Sequence, residues 1–249
     1  MNILITICAR GGSKGALNKN IRKLCGKPLI DYTLKCACLF RNEFLGELST
    51  DIVVSSDSEA ILDRADFFDD IMKVIRPSEL ALDSSPKVPV IQHATVTCEN
   101  VKSTAYDYVI DLDVTSPLRY TKDIYSTLTK CASPEHNFDL VFSAVPARRN
   151  PYFNMVELRD GYAFKIKESS FASRQEAPNV FDMNPSIYCY KREPLIHKLK
   201  RITFEGNSGL YEMPETYVID IDYESDFTIL EVLIDNYYRP QYPHLFIMD

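Results

Sequence analysis

The chain has 249 residues, with 28 Lys+Arg against 35 Asp+Glu for a formal net charge of −7, and is 45% hydrophobic and 25% charged. That profile excludes disorder, collagen and coiled coil, and the length suffices for a sizeable core. The charge is segregated: residues 1–30 contain Arg10, Lys14, Lys19, Arg22, Lys23 and Lys27 and no acid, so they carry +6 and leave −13 on the other 219.

In chain order, residues 2–9 form a continuous apolar run, as expected of a strand buried on both faces. Pro28 opens a helix whose residues Leu29, Tyr32, Cys36, Leu39 and Phe40 share one face. Residues 51–55 read as the next strand, running into Ser56-Asp57-Ser58-Glu59, a capping-box pattern heading a helix through Phe67. Further strands are predicted at 72–76, 106–112, 138–145, 186–190 and 216–221, with helices at about 87–100 and 121–132. Residues 152–158 and 162–167, joined by Arg159-Asp160-Gly161, read as a hairpin with a D-G turn. In the last helix Phe227, Leu230, Leu233, Ile234 and Tyr237 form one apolar face.

This alternation predicts an α/β fold, a mostly parallel sheet sandwiched by helices with right-handed crossovers. No linker, repeat or low-complexity stretch divides the chain, so residues 1–249 read as a single domain with an inserted arm at about 146–184. An antiparallel excursion from such a sheet is a lid, a dimer arm or a locally packed loop. Seven cysteines, an odd number without a CxxC, and four histidines without ligand-like spacing (His244 among them) point to reduced thiols in a cytoplasmic protein. The apolar run 3–9 is too short for a bilayer or a signal peptide, so no membrane association is expected. The overall acidity disfavours nucleic acid as a partner, while the basic N-terminus suits one small, highly anionic ligand.

Three motifs carry the chemistry. Ala9-Arg10-Gly11-Gly12-Ser13-Lys14-Gly15 directly follows the first strand, where an open α/β sheet binds its ligand and a glycine loop offers backbone N–H groups to phosphate. Arg10 suits bidentate phosphate contact and Lys14 a mobile point charge. The loop matches neither G-x-x-x-x-G-K-[ST], which needs glycine at Ile21 and Ser/Thr at Pro28, nor the dinucleotide pattern G-x-G-x-x-G. Its alternative is a surface turn with incidental charge. Two D-x-D elements, Asp111-Leu-Asp113 and Asp220-Ile-Asp222, would converge at one sheet edge to hold a hard cation such as Mg²⁺. The alternatives are a helix cap for Asp222 and a strand end for Asp111. Thr115-Ser116-Pro117-Leu118-Arg119 is a rigid turn able to frame a substrate, and Arg174 is either a carboxylate partner or a solvated arginine. Tyr188, within a strand, is more simply core. The histidines lack partners at triad spacing.

ARGGSKGALNKNIRKLCGKPLI, Arg76-Pro77-Ser78-Glu79-Leu80-Ala81, TSPLR, RQEAPNVF, NPSIY and DIDYESD, in this order, resemble the acylneuraminate cytidylyltransferases, or CMP-sialic acid synthetases. The resemblance runs from Ile3 to about Leu233. It implies a Rossmann-like nucleotidyltransferase fold of the nucleotide-diphospho-sugar transferase type, with a β-hairpin dimerisation arm. It implies transfer of CMP from CTP to a sialic-type sugar acid, with Mg²⁺ and a homodimer whose arm covers the partner's site. By matching motif, Arg10, Lys14 and Lys19 would neutralise the triphosphate. Ala9 through its backbone, Gly11, Gly12, Ser13, Asn20 and Arg76 would bind the nucleotide, and Asp220 and Asp222 the metal. Ser116, Arg174, Gln175 and Tyr188 would line the sugar site.

Departures from the pattern bear on the sugar. Ala16-Leu17-Asn18 stands where relatives carry proline, Leu82 replaces a small polar residue, and Asp182 and Pro185 differ in the sugar-facing block. Asp113 stands where sialic acid enzymes often have glutamine and resembles a second metal ligand of related enzymes. Legionaminic acid, another nonulosonate or an eight-carbon octulosonate are the substrates to compare. A non-catalytic nucleotide-binding dimer is the rival of another class.

Overall fold

The protein is described by a computed structural model covering residues 1–12, 15–214 and 219–240. β1 (Asn2–Cys8) runs into the glycine loop, and a short ladder of β2 (Lys23–Leu24) and β3 (Lys27–Pro28) leads to α1 (Leu29–Glu43). The chain then alternates through β4 (Ser49–Ser56), α2 (Glu59–Leu62), β5 (Ile71–Ile75), α3 (Lys87–Lys102), β6 (Tyr108–Leu112), α4 (Thr121–Ala132) and β7 (Leu140–Pro146). The hairpin of β8 (Val156–Arg159) and β9 (Tyr162–Lys165) stands between β7 and β10 (Phe181–Lys191), followed by α5 (Arg192–His197), β11 (Ser208–Glu212) and α6 (Glu224–Leu233).

A seven-stranded sheet has the order β11-β7-β10-β6-β1-β4-β5. All its pairings are parallel except those of β10, which runs antiparallel to both neighbours. Within β1, Ile3, Ile5 and Ile7 face one side and Leu4 the other, the two-residue alternation of a strand. Against the first face pack Leu34 and Phe40 of α1, Ile124 and Leu128 of α4, and Phe227 and Leu230 of α6. Against the second pack Val88, Ile91 and Ala94 of α3 with Leu195 of α5. Helices thus cover both faces, which is why β1 reads as an unbroken apolar run. No helix of the described residues is long and apolar enough to cross a membrane.

The strand order reverses at β1: the chain builds outward through β4 and β5, then α3 carries it back to β6 on β1's other side. Such a switch point leaves a crevice beyond the carboxyl ends of β1 and β6.

Several expectations change. The capping box at Ser56 does not form: α2 starts at Glu59 after Ser58, and the Ser56 hydroxyl accepts the Ser58 N–H at 3.0 Å. The helix is also short, passing into a 3₁₀ turn at Asp63–Phe67. Of the expected strand 216–221, residues 216–218 lie outside the described residues and 219–221 are not strand. The edge position belongs instead to β11, whose Gly209 in a short polar segment concealed it from pattern reading. The hairpin forms as the D-G turn requires. Arg159 pairs with Tyr162, and Asp160 and Gly161 take φ of 53° and 85°, the left-handed values of a two-residue turn.

Candidate active site

A cavity of about 220 Å³ opens beyond the ends of β1, β5 and β6, lined by Cys8, Arg10, Lys19, Asn20, Arg76, Leu82, Asp83, Lys87, Asp113 and Thr115 among others. Its walls are tied to the strand ends. The Ala9 N–H donates to the Ser55 carbonyl at 3.1 Å, joining β1 to β4. Arg76, directly after β5, is buried and donates to that same carbonyl at 2.8 Å, while its Nε finds no partner. Asn20 donates its side-chain amide to the Arg10 carbonyl at 2.9 Å and so folds the loop back over β1.

The loop itself meets acids. Gly11 N–H donates to Asp57 Oδ1 at 2.8 Å, and Arg10 is ion-paired with Asp83 across the mouth of the cavity. Ser13 and Lys14 lie outside the described residues. Gly12 has open space around it, whereas a Cβ on Gly15 would sit 2.1 Å from the Asp222 carbonyl oxygen, so only glycine permits this approach. Four residues on, Lys19 Nζ donates to the Ile221 carbonyl at 2.8 Å and to Asp222 Oδ1 at 3.1 Å.

The two D-x-D elements do converge. The Ile221 N–H donates to the Thr115 carbonyl at 2.9 Å, which seats Asp220 and Asp222 beside the end of β6. Burial pushes the Asp220 carboxyl up; the Thr115 hydroxyl opposes this, the charges of Asp113 and Asp222 add to it, and Lys19 offsets part. Asp220 Oδ1 is buried without a hydrogen-bond partner. Asp222 does not cap the last helix, because Asp226 Oδ2 accepts the N–H groups of Asp222 and Tyr223 at 2.8 and 2.7 Å. The Asp222 carboxylate is left facing Lys19.

Among the described residues no three His, Cys, Asp or Glu side chains are grouped closely enough to hold a metal ion by themselves. Asp113 in particular is engaged at both oxygens: Oδ1 accepts the Thr115 N–H at 3.0 Å and hydroxyl at 2.9 Å, and Oδ2 pairs with Lys87. Burial works to raise its carboxyl, but the Lys87 ammonium and the Thr115 donors outweigh it and hold the group down to about 2. Lys87 also lies 2.7 Å from Asp111 Oδ2, whose other oxygen accepts from the Thr6 hydroxyl at 2.8 Å. Asp111, the alternative strand-end residue, is fully buried inside β6.

The remaining residues expected at the site are placed less uniformly. Tyr188 faces it: on β10 it pairs across from Asp111, and Lys87 Nζ stands 5.4 Å from its ring centroid. Ser116 is buried, and its carbonyl accepts from Arg119. Arg119 itself is 0% exposed and also donates to the Asp113 carbonyl, so it tightens the turn from beneath and frames no ligand directly. Arg174 and Gln175 are exposed in a turn before β10, and Arg174 donates to the Ala147 carbonyl at 2.7 Å in a separate cavity of about 200 Å³. One chain does not bring them to the strand-end cavity.

Asp57, Asp83 and Lys87 escaped the sequence reading. Asp83 belongs to no motif, and Asp57 falls in the capping-box pattern at Ser56–Glu59, which says nothing of its contact with Gly11. Lys87 left one local trace: it is the first residue of α3, where a cation opposes the helix dipole.

A family profile described as "Cytidylyltransferase" matches residues 4–235. The "Post-translational flagellin modification protein B" of Campylobacter coli is 41% identical over 236 residues, covering 93% of this chain and 94% of that protein. The "CMP-N,N'-diacetyllegionaminic acid synthase" of Campylobacter jejuni subsp. jejuni serotype O:2 is 41% identical over 232 residues, covering 93% and 94%. Among solved structures, a CMP:2-keto-3-deoxy-manno-octonic acid synthetase complexed with CTP superposes with a TM-score of 0.66 over 94% of this chain and 99% of that one; at 14% identity it speaks for the fold alone.

Proposed function

The chain belongs to the cytidylyltransferase family, and from that premise we propose that it transfers CMP from CTP to the anomeric hydroxyl of a nonulosonic, sialic-type sugar acid. The observation that carries the reading is the meeting of the basic loop with the second D-x-D element, Lys19 on Asp222 and Gly15 against the Asp222 carbonyl, at the sheet's switch point. A triphosphate needs cations on one side and a metal-binding acid on the other, and this is where both are within reach.

In this reading Arg10, Lys14 and Lys19 offset the triphosphate charge, with Arg10 exchanging Asp83 for phosphate. Ala9, Gly11, Gly12, Ser13, Asn20 and Arg76 hold the rest of the nucleotide. Asp220 and Asp222 would hold a divalent cation, Mg²⁺; the fit rests on hard oxygen donors and on the buried, unpartnered Asp220 Oδ1. One or two carboxylates completed by substrate phosphates and water is the usual Mg²⁺ site, so a grouping of three protein ligands is not required. Bound there, the cation would neutralise charge on the phosphate oxygens.

The sugar hydroxyl oxygen forms the new bond to the α-phosphorus as the bond to the pyrophosphate breaks, and the hydroxyl proton passes to solvent water. The chain's part is to align these groups and to supply positive charge that needs no reorganisation as the leaving group gains charge. The sugar carboxylate beside a triphosphate is repulsive, and Arg174 with Gln175 would offset it. They would do so across a homodimer, in which the hairpin arm of each single-domain, cytoplasmic subunit covers the other's cavity near Ser116 and Tyr188. N,N'-diacetyllegionaminic acid is the first substrate to try, since a 41% identical relative carries its name.

The test is pyrophosphate release with CTP and Mg²⁺ across a panel of nine-carbon and eight-carbon 2-keto sugar acids, with UTP, ATP and GTP as controls. Release with a nonulosonate and CTP alone is expected. Release only with an octulosonate refutes the sugar assignment, and CTP binding without turnover on any sugar supports the non-catalytic dimer.

A further inference from the structure

The first D-x-D element already holds a cation. Lys87 Nζ lies between Asp111 Oδ2, at 2.7 Å, and Asp113 Oδ2, and it stands over the Tyr188 ring. Two residues apart on a strand, the two carboxylates face the same side, and a single ammonium spans them. Each is further fixed by a hydroxyl, Thr6 on Asp111 and Thr115 on Asp113. The arrangement is that of a dicarboxylate metal site with the metal replaced by a side chain, facing the cavity that Arg10, Lys19 and Arg76 also line.

Its position on the helix argues against an incidental pair. A lysine at the head of a sixteen-residue helix works against the dipole, and its ammonium could reach solvent from there, yet it points inward to two acids. The second element differs. At the first, a single ammonium spans both acids and lies 2.7 Å from Asp111 Oδ2, whereas at the second Lys19 pairs with Asp222 and Asp220 Oδ1 is buried without a hydrogen bond.

We propose that Lys87 is the second cation of this site, occupying the place a second divalent ion would take on Asp111 and Asp113, so that the enzyme works with one metal ion per chain. The inference rests on the CTP reading above. It assigns Asp113 to Lys87 and leaves Asp220 and Asp222 as the sole metal carboxylates.

Counting Mn²⁺ bound per chain by electron paramagnetic resonance, with saturating CTP and no sugar acid, tests this on the intact protein. The expected counts are one ion for the wild type, two for Lys87→Ala, and one again for the double variant Lys87→Ala/Asp113→Asn. Asp113→Asn alone, which keeps Lys87 and serves if Lys87→Ala does not fold, is expected to retain its one ion. Two ions in the wild type, one in a folded Lys87→Ala, or loss of the ion in Asp113→Asn each overturns the inference while leaving CTP use intact. Absence of CTP binding by the wild type overturns both.

Discussion

The strand-end cavity and the hairpin arm are built on opposite principles. At the cavity nearly every charge has a designated partner within the chain: Arg10 with Asp83, Gly11 with Asp57, Lys19 with Asp222, Lys87 with Asp111 and Asp113. The arm has apolar side chains with little to cover them; Leu158 is 76% exposed, Tyr162 72% and Val156 59%. An isolated two-stranded hairpin is marginal in water, and an apolar patch of this kind marks an interaction surface. The comparison teaches that the strand-end cavity is tied together within a single chain, whereas the arm leaves apolar surface uncovered. In the proposed reading, chemistry on the nucleotide is organised by the fold, and recognition of the sugar by association of two copies.

Substitutions at the two regions should therefore fail in different ways. The largest effect is expected at the self-contained end. Asp222→Asn, and likewise Lys14→Ala, should lower kcat by about 10²–10³-fold, the usual cost of removing one preorganised stabiliser of transition-state charge. Circular dichroism and melting should remain near wild type, and near-normal turnover in Asp222→Asn would discredit the metal assignment. A smaller, differently shaped loss is expected at the arm. Placing carboxylates at Leu158 and Tyr162 should shift the protein from dimer to monomer in analytical ultracentrifugation. It should raise KM for the sugar acid about tenfold or more while CTP affinity holds, since a charge-assisted contact is typically worth about 1.5–3 kcal/mol. A dimer that survives both changes would remove the arm from the interface.

The smallest effect is on pH dependence. Asp113 is held below its ordinary value of 3.8, down to about 2, so its contribution to stability is present above 3.8 and is lost as pH falls toward 2. Asp113→Asn should therefore flatten the melting temperature against pH in that interval. An unchanged slope would show that Lys87 does not hold the carboxylate.

The same contrast governs what the sequence made legible. The apolar run of β1 and the strand end carrying Asp111 are local patterns, and each appears where its residues predict, whereas Asp220 and Asp222 stand on no strand. The D-G turn between β8 and β9 was equally readable, because two positive φ values in succession demand such residues. Lys87 was not, since its partners Asp111 and Asp113 lie 24 and 26 residues away and only the fold joins them. Arg119 was misread for a related reason: a rigid turn ending in arginine looks the same whether the guanidinium points to a ligand or to the turn's own carbonyls. β11 was missed because an edge strand with glycine carries little apolar periodicity.

The contact between Gly15 and the Asp222 carbonyl, together with Lys19 on Ile221 and Arg22 on Glu224, joins positions about two hundred residues apart. A chain emerging from the ribosome can form β1, α1 and β4 early, because their contacts are close in sequence, but this junction must await residues 221–224. The same late segment carries Phe227 and Leu230 into the core, so the closing of the loop and the closing of that face of the sheet are one event.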